Sequence, residues 1–133
     1  MLSRFTDVAY VLLRIASGLM FSCHGMQKLL GLFPDPQMPA TLSTQMKIGG
    51  VIELACGLAI AAGIFTRSAA FLASGTMAVA YVQFHWFKEG QGLQFDVNFF
   101  PIANHGESAL LYSFLFLYIA CRGNGHDRAK AAA

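Results

Sequence analysis

The sequence predicts an all-α fold: one domain spanning residues 1–133, built as a bundle of four transmembrane helices with both termini on the same side. Three observations predict it. Of the 133 residues, 56% are apolar and 12% are charged, about half the charged share of an ordinary soluble domain. The apolar residues gather into long segments instead of alternating or striping one face. Four of these segments approach the roughly 20 residues that a helix rising about 1.5 Å per residue needs to cross a hydrocarbon core about 30 Å thick. The 9 Lys and Arg against 7 Asp and Glu leave a net charge of +2. With no Lys/Arg-rich run, that balance excludes a nucleic-acid surface.

The spans read as residues 7–31, 48–65, 67–87 and 104–121. Gly31, followed by Pro34, Pro36 and Pro39, ends the first; Thr66 is placed to N-cap the third and Asn104 the fourth. The first span is too long for a signal peptide, contains Arg14 and lacks a small-x-small cleavage site, so it is expected to stay attached. Almost no loop separates spans two and three, which therefore form an antiparallel hairpin. The two other connections are longer and carry all four prolines, so both long loops are expected on one side. Small residues recur every fourth position at Ala55, Ala59 and Gly63 and at Ala70, Ser74 and Ala78, marking close-packing faces. Arg4, Arg67, Arg122, Arg128 and Lys130 lie on the terminal side, against Lys47 and Lys88 on the long-loop side. Basic residues favour the cytoplasm, so both termini are expected there.

A charge in a bilayer centre costs at least about 2.5 kcal/mol on insertion scales, which makes intramembrane polar residues functional candidates. Counted inward from the long-loop side, His85, Lys28 and Glu107 come first, then Glu53, then His24, at depths from roughly 3 to 10 Å. All four spans thus contribute to one polar layer. His24 and Lys28 stand four residues apart and share a helix face. Glu53, between Ile52 and Leu54, needs a partner or a proton; Lys28 and His24 are the expected partners. A structural ion pair and a proton-handling site both remain open for it. Asn104 and Glu107 have capping-box spacing, so Glu107 is read either as a cap or as part of the layer. His85, beside Phe84, Trp86 and Phe87, is read as an interfacial residue in an aromatic belt or as a ligand-binding one. Arg14, alone towards the terminal side, is expected to be structural, bonding backbone carbonyls and hydroxyls such as those of Ser74, Thr76 or Tyr112, or snorkelling to headgroups. His105 reads as a loop-end residue, and His126 has no argued role.

Cys23, Cys56 and Cys121 form no C-x-x-C pair and are read as buried small hydrophobes. No His-x-x-His or Glu-x-x-His spacing sets two metal ligands on one helix turn, so no metal centre is expected, and there is no glycine-rich nucleotide fingerprint. A faint repeat relates His24, Lys28 and Glu53 to His85, Lys88 and Glu107 across two Pro-bearing loops, suggesting two parallel hairpins.

Several ordered motifs carry a resemblance: Leu13-Arg14 with Gly18, then His24-Gly25-Met26-Gln27-Lys28-Leu29-Leu30-Gly31, Gly50-Val51-Ile52-Glu53-Leu54, Gly63-Ile64-Phe65-Thr66-Arg67, and Asn104-His105-Gly106-Glu107 leading into Leu110-Leu111-Tyr112. Together they resemble the DoxX family of small bacterial four-helix membrane proteins. The resemblance implies a multi-pass protein of the bacterial inner membrane, grouped with the small subunit of thiosulfate:quinone oxidoreductase. It implies a non-autonomous subunit of a redox assembly, with no covalent cofactor, a redox-active protein partner, and a quinone headgroup or small anion near the polar layer. Within it, Glu53 and His24 are the expected catalytic residues, and Lys28, Glu107, His85 and Asn104 the ligand-binding ones. A structural or assembly subunit and a small-solute transporter are the other readings.

Overall fold

The computed structural model describes residues 2–88, 91–93 and 95–125. Its main elements are α1 (Thr6–Leu30), α2 (Thr44–Ala62), α3 (Thr66–Ala80) continued by a π-helical segment (Tyr81–Trp86), a two-residue ladder of β1 (Phe87–Lys88) with β2 (Gly92–Leu93), the single turn α4 (Pro101–Asn104), and α5 (Glu107–Arg122). The fold is all-α apart from that ladder. His126 lies outside the described residues.

Local chemistry explains the boundaries. Gly31 closes α1 in the left-handed region, at φ 65°, where a side chain would be strained. Helix α2 starts four residues earlier than expected because Ser43 caps it: its hydroxyl accepts from the Met46 N–H at 3.2 Å. Two expected caps are corrected. Thr66 is the first residue of α3, not its cap; Phe65 holds the cap position with φ 48° at the end of the tight α2–α3 turn. Asn104 does not cap the fourth long helix, because left-handed His105, at φ 57°, breaks the chain there and α5 begins after Gly106. No Asn104–Glu107 capping box forms.

Helices α1 and α2 are antiparallel and meet almost backbone to backbone, Gly18 facing Gly57 and Gly25 facing Gly50. A Cβ on Gly25 would stand 2.5 Å from the Leu54 nitrogen, and one on Gly57 2.6 Å from the Gly18 oxygen. The seven-residue spacing on both helices keeps one face in register over two turns. This glycine seam replaces the expected every-fourth ridge on α2, where Ala55 is exposed. In the second pair, α3 and α5, Ala70 and Ala73 are fully buried and the Ser74 hydroxyl donates to the Ser113 carbonyl at 2.7 Å, while Ala78 is exposed. Phe21 and Phe116, with ring centroids 4.7 Å apart, join the two pairs in a core that includes Ile60 and Ile119.

The start of α1, the α2–α3 turn and the end of α5 lie together. Tyr10 donates its hydroxyl to the Gly123 carbonyl at 2.5 Å, Arg122 pairs with Asp7, and Arg67 donates to the Cys121 carbonyl at 2.9 Å. Helices α1 and α2 are each long and apolar enough to cross a membrane, yet only 39% and 28% of their apolar windows are buried. A soluble protein's core helix would bury most of such a window; here Leu12, Met20, Phe71, Leu111 and Phe114 face outward. An apolar exterior of this extent is a lipid-facing one. Helix α3 has 15 residues and gains 6 from the π-helical segment, and α5 has 16.

Candidate functional site

The glycine seam places Glu53 where α1 and α2 run closest. Its side chain is buried, the residue being 2% exposed. Lys28, in the last turn of α1, reaches back so that its Nζ lies 2.5 Å from Glu53 Oε1, and its side chain is 21% exposed. The pair therefore joins the interior to the edge of the bundle. Glu53 Oε2 is buried with no hydrogen-bond partner among the described residues. A carboxylate oxygen in a low-dielectric interior ordinarily has a donor, so this one is an open acceptor, fitted to take a proton or a donor group. His24 lies one turn deeper on α1, exposed, its ring edge-on to Tyr112 with centroids 6.4 Å apart. No hydrogen bond or ion pair joins His24 to Glu53 among the described residues.

The expected single layer divides. His85 and Asn104 belong to a second cluster, on the other helix pair. His85 Nδ1 is 3.2 Å from the Asn104 carbonyl, and its ring stacks on Tyr81. Tyr81 donates to the Phe99 carbonyl at 3.0 Å; the Asn104 amide donates to the Asn98 carbonyl at 2.9 Å, and its oxygen accepts from the Gly106 N–H at 2.8 Å. Glu107 is exposed, with no hydrogen bond or ion pair from its side chain among the described residues. The break at His105 turns it away from the bundle interior that a continuous helix from Asn104 was expected to give it.

Arg14 is buried at the opposite end of the α1–α2 seam. Its Nη1 donates to the Ile60 and Ala61 carbonyls, the latter at 3.2 Å, rather than to Ser74, Thr76 or Tyr112. These carbonyls end α2, where the helix dipole is negative, so a guanidinium there is favoured without a carboxylate. Of the cysteines only Cys56 is buried; Cys23 and Cys121 are exposed, and all three are free thiols. Among the described residues no three His, Cys, Asp or Glu side chains gather as a metal site. The sequence reading missed Tyr81, and it missed that Tyr112, which it offered to Arg14, meets His24. The first was signalled by its four-residue spacing from His85, whereas the second meets His24 only through tertiary packing.

A helical, lipid-facing bundle with a buried Lys–Glu pair defines the class as a small integral membrane protein. The DoxX family profile matches residues 9–86, more than half of the chain, and the protein belongs to the DoxX family. It is also 39% identical over 127 residues to a Haemophilus influenzae protein described as "Uncharacterized protein", covering 93% of this chain and 90% of that one. No solved structure matches.

Proposed function

We propose that this protein is a four-span subunit of a quinone-linked oxidoreductase assembly in the bacterial inner membrane, with both termini cytoplasmic. The observation that carries the proposal is the open Oε2 of buried Glu53 beside Lys28. The Lys28–Glu53 pair holds one transferable proton. A quinone carbonyl or a small anion is bound by Lys28, with His24 and Tyr112 at the flank, and Glu53 passes the proton through Oε2. Reduction of one quinone to quinol takes two electrons and two protons. The electrons come from a flavin- or haem-bearing partner, one proton from the pair and the second from water at the long-loop face. His85 and Asn104, bonded to each other, and exposed Glu107 make no hydrogen bond or ion pair with Lys28 or Glu53 among the described residues and have no part in this reading.

The test is gentle purification with partners retained, mass spectrometry of co-purifying proteins and extracted lipids, and quinone-linked turnover of Glu53→Gln. Quinone with a flavin- or haem-bearing partner, and a drop of roughly 100-fold in turnover as expected for loss of a proton-transfer group, support the reading. Full turnover in Glu53→Gln overturns the proton role. The ion pair bridging α1 and α2 favours a second reading, an assembly subunit in which the pair only locks the helices. In that case Glu53→Ala and His24→Ala lower the yield of assembled complex and leave turnover per complex unchanged.

A further inference from the structure

The segment from Phe95 to Asn104 combines two properties seldom found together in a loop. Apart from Asp96, whose carboxylate accepts from Asn98, its exposed side chains are apolar: Phe95 is 79% exposed, Ile102 73%, and Val97 and Phe100 are exposed as well. Its backbone between Asn98 and Phe100, in contrast, is satisfied from within, as are the N–H groups of Ala103 and Asn104. Phe99 and Phe100 donate to the Asp96 and Val97 carbonyls, and Ala103 and Asn104 to that of Phe100. Asp96 accepts from the Asn98 N–H at 2.9 Å, and Pro101 has no N–H to satisfy. Three further carbonyls are met by side chains, Asn98 by Asn104, Phe99 by Tyr81 and Asn104 by His85, and that of Pro101 by the Gly106 N–H. A water-facing loop has no need of such provision, but a segment in contact with lipid must satisfy its backbone internally. The segment is continuous with the bundle through Trp86, whose ring meets Phe95 at 5.4 Å and Phe99 at 5.2 Å edge-on.

We propose that Phe95–Asn104 lies in the membrane interface as a lipid-embedded element, its apolar side chains among the upper acyl chains, with Tyr81, His85 and Asn104 supplying the hydrogen bonds that water would otherwise provide. The occupant of this apolar face is the bilayer itself, since the face extends the lipid-facing surface of the helices and aromatic rings favour that depth.

Trp86 is the single tryptophan of the chain, so fluorescence reads the position directly. The protein is reconstituted in phosphatidylcholine vesicles with acyl chains brominated near the headgroup or near the bilayer centre, as wild type and as Trp86→Phe/Phe95→Trp. The expected result is quenching of roughly twofold or more by shallow bromine in both proteins, weaker quenching by deep bromine, and protection of the residue-95 probe from aqueous iodide. Iodide quenching of that probe without bromine quenching overturns the proposal, as does bromine quenching confined to wild-type Trp86. If the double variant fails to fold, Phe100→Trp in the Trp86→Phe background gives the same reading.

Discussion

The two helix pairs carry similar residue types at comparable places and use them differently. In α1–α2, four glycines bring the backbones into contact and Glu53 is held inside, paired with Lys28. In α3–α5, alanines and a serine make the seam, Glu107 is exposed, and His85 is bound to a loop carbonyl. The difference teaches that a charged residue in an apolar segment becomes a buried site only where close helix approach holds a partner within reach. The repeat visible in the sequence is a repeat of elements, and among the described residues the interior ion pair stands in the first pair.

Four substitutions break or sharpen that contrast. The largest effect is expected from Lys28→Met, which leaves the Glu53 carboxylate buried without its cation; breaking a buried pair costs about 3–5 kcal/mol. Reversible unfolding in detergent micelles measures it, and adding Glu53→Gln to Lys28→Met should recover most of the loss. A cost under about 1 kcal/mol for the single change would show that the pair does not hold the helices. Next comes Gly57→Leu, whose Cβ would stand 2.6 Å from backbone atoms of α1. Overpacking of this kind costs about 3 kcal/mol, seen in the same assay as earlier unfolding, and a wild-type midpoint would refute the glycine seam.

On the second pair the expected effects are smaller. Tyr81→Phe removes the hydrogen bond to the Phe99 carbonyl and should cost about 1 kcal/mol, together with faster amide exchange around Phe99 and Phe100. Unchanged exchange there would mean that Tyr81 does not secure the loop. Glu107→Gln, at an exposed side chain, should stay within about 0.5 kcal/mol of wild type. A loss comparable to that of Lys28→Met would place Glu107 in a paired site after all and erase the contrast.

Much of the candidate site was legible because sequence spacing in a helix is spatial spacing. Depth along the helices offers Lys28 and His24 as partners of Glu53, and of the two the structure pairs Lys28 with it. Spacing carries no further than one unbroken helix. Asn104 and Glu107 were counted along a continuous fourth span, but positive φ at His105 interrupts it and changes the facing of everything beyond. The hydroxyls suggested for Arg14 failed for a related reason: the end of α2 offers unsatisfied carbonyls closer by, and a guanidinium takes the nearest strong acceptors.

Composition and segment length by themselves determined the helical class, the lipid-facing exterior and the residues at which charge must be answered. These follow from transfer free energies that act on each residue locally. The tertiary structure alone decided that the polar residues form two clusters rather than one layer, that Glu53 keeps one oxygen open, and that His85 and Asn104 serve a loop. Those outcomes depend on which backbones approach within glycine distance and where the chain turns, and both are set by packing between segments distant in sequence.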